Sequence, residues 1–140
     1  MQTFVPNDAG YEASLECLDR QRLGKQRVEV LQIYNALTGK SKGWGNHPAT
    51  NMWRGHAGAL LDYGIMACCV WIDHGYKDTV KDKLLALRDH VDLGESFHYP
   101  PWWGGPIHES HQASLVRKNP EFYRPLFPDV DEDIPLFWPV

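Results

Sequence analysis

The stretch Arg20-Gln21-Arg22-Leu23-Gly24-Lys25-Gln26-Arg27-Val28-Glu29-Val30-Leu31-Gln32-Ile33-Tyr34-Asn35-Ala36-Leu37-Thr38-Gly39 decides the fold class, because its apolar residues recur at helical spacing. With Leu23 at zero and about 100° per residue, Val30, Tyr34 and Leu37 fall within about 40° of it. That stripe has to be buried against other elements. Gly39 ends the helix.

Outward from this helix the same period recurs. Ser14 is read as the cap of a short helix through about Leu18. After the Gly43-Trp44-Gly45-Asn46-His47-Pro48 loop, a core helix is expected from Ala49 to His74, closed by Gly75. Its bulk comes from Leu60, Leu61, Ile65, Met66, Val70 and Trp71, while Gly55, Ala57, Gly58 and Ala59 leave room for a neighbouring backbone. A further helix starts at Asp78 or Thr79 and runs to Val91, with Gly94 beyond, and presents Val80, Leu84, Leu87 and Val91. Tyr99-Pro100-Pro101-Trp102-Trp103-Gly104-Gly105-Pro106 resists helix and strand alike, so it reads as an ordered loop packed on the helices. His108 to Lys118 forms another helix, Asn119-Pro120 caps a short turn through Tyr123, and a Pro-rich extended tail follows. The expectation is an all-α, single compact helical domain over residues 1–140, with next to no sheet.

The chain has 140 residues, 43% hydrophobic and 23% charged, with six Trp and a formal net charge of −4. This is the composition of a globular domain rather than a disordered chain or a strongly basic nucleic-acid binder. The charge is unevenly placed, however. Arg20, Arg22, Lys25, Arg27, Lys40 and Lys42 face one acid, Glu29, in the first third, whereas Asp129, Asp131, Glu132 and Asp133 make the tail acidic. Cys17, Cys68 and Cys69 are odd in number and suggest no disulfide framework. With no export signal and no run of about 20 apolar residues, a cytoplasmic protein without a membrane anchor is expected.

On the wheel of the first long helix, Arg22, Lys25, Glu29 and Gln32 cluster between about 180° and 260°, a carboxylate among cations one turn away. Such a face suits a polyanion, with the carboxylate as general acid or base, or it is a solvated surface laced with ion pairs. Arg27 lies at about 40°, on the apolar stripe, and there it needs a partner. Asp19 or another internal acid would make Arg27 structural, and a cleft opening at that face would make it a ligand-binding group. His108-Glu109-Ser110-His111 sets two imidazoles three residues apart, but it is not H-E-x-x-H and no other pair has ligand spacing, so no metal is expected. Trp53 and Trp71 read as packing residues. Trp102 and Trp103 could serve packing or base stacking.

Three groups of residues carry a family resemblance: Leu18-Asp19-Arg20-Gln21-Arg22-Leu23-Gly24-Lys25-Gln26-Arg27-Val28-Glu29; Asn46-His47-Pro48 leading to Arg54-Gly55-His56; and His111-Gln112-Ala113-Ser114-Leu115 with Lys118-Asn119-Pro120-Glu121-Phe122-Tyr123. In their order and spacing the chain resembles the pyrimidine-dimer DNA glycosylases of the phage-type endonuclease V family. The resemblance implies a compact helical domain that cuts the glycosidic bond of a damaged or modified pyrimidine in double-stranded DNA and nicks the abasic site. It implies attack by the N-terminal α-amine, here that of Met1, on the sugar C1′ to give an imine, with Glu29 assisting, and it implies no cofactor. An α-amine, with its pKa of about 7.7 to 8.0, is substantially nucleophilic near neutral pH.

By the same resemblance Arg22, Lys25, Arg27 and Arg54 hold backbone phosphates, and base extrusion calls for a pocket beside Glu29. His56 and His111 match recurring family positions, either to orient phosphates or as structural histidines. Two positions depart from the family pattern. Gln2 is large where a small residue is expected, which leaves Met1 in place as the only free amine, and Gln32 stands where a family arginine would be. The alternative is a diverged, non-catalytic relative that binds nucleic acid or a nucleotide at the same cleft. The protein is read as a monomer.

Overall fold

The computed structural model describes residues 1–91 and 95–139, and helices are the regular secondary structure there, with no strand among the described residues. The described residues form seven helices in order: α1 (Tyr11–Glu16), α2 (Arg20–Leu37), α3 (Pro48–Asn51), α4 (Ala57–Asp73), α5 (Lys81–Arg88), α6 (Ile107–Lys118) and α7 (Pro120–Tyr123). The all-α reading holds, and α2 is the helix its stripe predicts. Leu23, Val30, Ile33 and Tyr34 are buried, and α2 packs chiefly along α4.

The close approach of these two helices depends on Gly64. A Cβ there would stand 2.5 Å from Val30 Cγ1 and 2.9 Å from Leu84 Cδ1, so α2, α4 and α5 can meet only where α4 has no side chain. The small residues at 55–59 admit a different neighbour, as their size predicts: the Ser96 backbone bonds Ala59 N–H and Gly55 O at 3.1 Å each, and the Phe97 ring lies against Gly58.

A turn at Gly55 corrects the continuous helix expected from Ala49 to His74. After α3 the chain breaks at residues 52–56, with Gly55 at φ 81, a left-handed conformation that costs an L side chain strain. The break turns Trp53 into the core, fully buried, where its indole N–H donates to Thr3 Oγ1 at 3.0 Å. Helical periodicity continued across the turn, which is why the sequence read as one element.

Other ends shift by a few residues. Ser14 lies inside α1 rather than capping it, and its hydroxyl bonds Asn7 instead. Asp78 does serve the start of α5, accepting the Lys81 backbone N–H at 2.7 Å, but the helix stops at Arg88 rather than Val91, and Gly94 lies outside the described residues. Asn119 caps α7, accepting from the Phe122 N–H, as its Asn-Pro sequence predicts.

The aromatic loop is packed, not idle. Trp102 donates to Met52 O at 2.7 Å and stacks edge-on against Trp53, and Trp103 donates to Asp8 O at 3.2 Å amid Tyr11, Tyr99 and His108. Both rings are half-buried structural groups. The extended tail runs back over α6, where Arg117 donates to the carbonyls of Glu132 and Ile134 and Ser110 Oγ receives the Phe137 N–H.

Candidate active-site cleft at the N-terminus

Residues 1–8 have no regular secondary structure, yet side chains from three helices hold their backbone. Gln26 of α2 donates its amide N–H to Gln2 O (3.2 Å), and its Oε1 accepts the Phe4 N–H (2.9 Å) and the Tyr63 hydroxyl (2.7 Å). On the other side α6 continues the clamp. His111 Nδ1 accepts the Val5 N–H at 2.9 Å, His108 Nδ1–H donates to Val5 O at 2.6 Å, and Gln112 donates to Pro6 O at 2.8 Å. An extended terminus ordinarily frays. Here α2, α4 and α6 seat it in the core, with Thr3, Phe4 and Val5 buried.

The seated terminus brings Met1 to a cleft of about 260 Å³ against α2. Arg22, Lys25, Gln26 and Glu29 line its α2 wall, Met1, Gln2 and Phe4 another, and Lys118 from the last turn of α6 its rim. The carboxylate of Glu29 is half-withdrawn from solvent, and its Oε2 is buried without a hydrogen-bond partner. Gln2 Nε2, on another wall of the cleft, is likewise unpartnered. A buried carboxylate oxygen with no donor costs stability, and such groups collect where a substrate completes the bonding. Arg22 is steadied from behind by Asp19 at 3.2 Å, and Asp19 in turn accepts the Tyr123 hydroxyl.

Of the residues singled out in the sequence, the cleft gathers Met1, Arg22, Lys25 and Glu29. The others lie elsewhere. Arg27 projects to the opposite side, ion-paired with Asp78 and lying over the Trp71 ring 4.5 Å from its centroid. Its partner is thus an internal acid 51 residues on, not Asp19, and the pairing makes it structural. Arg54 is exposed, donating to Gly45 O and Asn51 Oδ1. His56 precedes α4 and shares with Arg54 and Trp102 a separate surface pocket.

His111 is fully buried, and a phosphate cannot reach it. Burial, with His108 beside it, lowers its pKa from 6.5 to about 3, so it stays neutral and free to accept the Val5 N–H. The His108–His111 spacing that suggested ligands serves instead to clamp one residue's backbone. No group of three His, Cys, Asp or Glu able to hold a metal occurs among the described residues. Lys118 and Gln26 also line the cleft, and local spacing does not single them out. Both stand in the stretches that resemble the family, and the polar Gln26 beside the apolar stripe is the one further sign.

A cleft that sets one carboxylate among cations, beside a firmly held chain terminus on a small helical framework, has the make-up of a polyanion-processing site. The chain belongs to the pyrimidine dimer DNA glycosylase family, whose model matches residues 1–84. That family is one of DNA-repair glycosylases. The match covers α1 to α4 and the first half of α5, whereas the resemblance of residues 111–123 lies beyond it. No curated protein and no solved structure matches the chain. No helix among the described residues is long and apolar enough to cross a membrane.

Proposed function

We propose that the cleft excises a damaged or modified pyrimidine from double-stranded DNA and then nicks the abasic site. The observation that carries this reading is the meeting of Met1, Glu29 and the cations Arg22, Lys25 and Lys118 in one cleft. The cations neutralise phosphates on either side of the lesion and fix the sugar over the amine. The neutral Met1 amine attacks C1′. The bond from C1′ to the base nitrogen breaks with its electron pair going to the base, whose nitrogen takes a proton from water.

Glu29 stabilises the cationic character that develops on the sugar and accepts the proton lost by the attacking nitrogen. Ring opening then gives an imine between the terminal nitrogen and C1′. Removal of a C2′ proton expels the 3′ phosphate by β-elimination, and water releases the free amine. No step needs an oxidant or a cofactor. A DNA substrate also suits the cytoplasmic setting expected from the sequence.

The test is reductive trapping. Protein is mixed with duplex DNA carrying either a thymine dimer or an abasic site, borohydride is added, and the adduct is mapped by mass spectrometry. A covalent adduct on the α-nitrogen of Met1 is expected, and intact mass establishes beforehand that this amine is free. DNA bound with neither adduct nor strand cleavage would instead support the non-catalytic relative.

A further inference from the structure

We infer that Gln26 is a positioning residue that sets the place of the N-terminal amine relative to Glu29. The inference rests on the amine reading of the cleft and adds the device that makes it workable. Gln26 is 2% exposed and precedes Glu29 by three residues, so both side chains leave the same face of α2 one turn apart. One rigid helix therefore carries the carboxylate and also holds the backbone that ends in the amine.

The chemistry of the amide suits this task better than any substitute. Gln2 presents a carbonyl, which needs a donor, and Phe4 presents an N–H, which needs an acceptor. A primary amide supplies both, and the bonds fix which way round it sits. The Tyr63 hydroxyl, fully buried, lies 2.7 Å from both Gln26 Oε1 and Phe4 O, locking the amide oxygen from the far side. A glutamate could still accept from Phe4 but would set a charge against the Gln2 carbonyl. A leucine would leave the Gln2 carbonyl and the Phe4 N–H without a partner.

The distance from Gln2 to the reacting nitrogen is a single residue, so slack in the clamp appears directly as misplacement of the amine. A misplacement of about 1 Å can cost about 100-fold in rate. Gln26 is 2% exposed, with its amide engaged by Gln2, Phe4 and Tyr63, so its loss should slow the chemistry without weakening DNA binding.

The experiment compares unmodified protein with Gln26→Glu, Gln26→Leu and Tyr63→Phe. It measures the rate of borohydride-trapped adduct on abasic-site duplex, affinity for the same duplex, and thermal melting. For Gln26→Glu the expected result is a trapping rate down about 100-fold with affinity within a factor of about two. Tyr63→Phe, which keeps the clamp but loosens the amide, should fall about tenfold. It carries the test if the Gln26 variants do not fold. A folded Gln26 variant that traps at the unmodified rate would overturn the inference, and so would a Tyr63→Phe chain that does so where the Gln26 variants do not fold. Trapping that falls only in step with DNA affinity would overturn it too. No adduct from the unmodified chain overturns the amine reading and this inference with it, so the two failures are told apart by the unmodified protein alone.

Discussion

His111 Nδ1 accepts the backbone N–H of Val5 at 2.9 Å, joining residues 106 positions apart in a fully buried contact. That bond exists only while the imidazole is neutral. Its pKa is 6.5 in an ordinary setting and about 3 in the folded protein, pushed down by burial and by His108. The unfolded chain therefore takes up a proton that the folded chain refuses. Stability from this group is complete above pH 6.5 and is lost as pH falls from there towards about 3, at up to about 1.4 kcal/mol per pH unit. Urea unfolding at pH 7, 6, 5 and 4 should show that slope, and His111→Asn, which cannot titrate, should flatten it by about the same amount. Equal slopes for the two proteins would remove His111 from the acid sensitivity.

Glu29→Gln keeps the shape of the cleft wall while removing its charge. Strand cleavage should fall by about 10²- to 10⁴-fold, the range of general acid–base assistance, with DNA affinity held or improved by the loss of a negative charge near phosphates. Single-turnover cleavage and fluorescence binding on the same duplex separate the two effects. Cleavage at the unmodified rate would take Glu29 out of the reaction.

The cations should divide into two kinds. Arg22→Ala, Lys25→Ala and Lys118→Ala should each weaken DNA binding and lower the salt slope of log affinity by about one. Arg27→Ala should leave that slope alone, but it strands Asp78, whose side chain is 3% exposed, and should destabilise the fold by about 3 kcal/mol. Salt titrations of binding, paired with urea melts, test both statements. A changed salt slope for Arg27→Ala would place it on the DNA.

Gly64→Ala should cost about 1–3 kcal/mol, because its methyl group meets Val30 and Leu84 well inside normal contact distance. Gly43→Ala, with nothing within 4 Å of the added carbon, serves as the neutral control. Adding Val30→Ala to Gly64→Ala should recover part of the loss, and strict additivity in a double-mutant cycle would rule out the proposed clash.

Local pattern carried much of this molecule. The stripe of α2, the Asn119-Pro120 cap, and Arg22, Lys25 and Glu29 on one face all follow from residues a few positions apart, and each stands where its spacing placed it. What escaped was set by distant partners. Arg27 could be seen to need an acid, but Asp78 is 51 residues away, and wheel geometry cannot choose among acids. The break at Gly55 is hidden because helical residues flank it on both sides, and the turn is fixed by where Trp53 docks. The spacing of His108 and His111 carries too little for a metal site, yet nothing local reveals that their partner is the backbone of Val5. Membership of the cleft by Lys118 depends on α6 crossing back to the terminus, which no periodicity encodes.

The clamp on residues 1–8 has a consequence for the order in which the molecule comes into being. Synthesis yields this segment before Tyr63, His108, His111 and Gln112, which secure it and arrive 59 to 106 residues later. Contacts that span so much chain form late, after the intervening helices have closed the loop. A nascent chain stopped before α6 could fold α2 and display Glu29, yet its amine would still wander. On the proposed reading, competence to cut DNA would therefore arrive with the last long helix, and a partly made protein would be a harmless one.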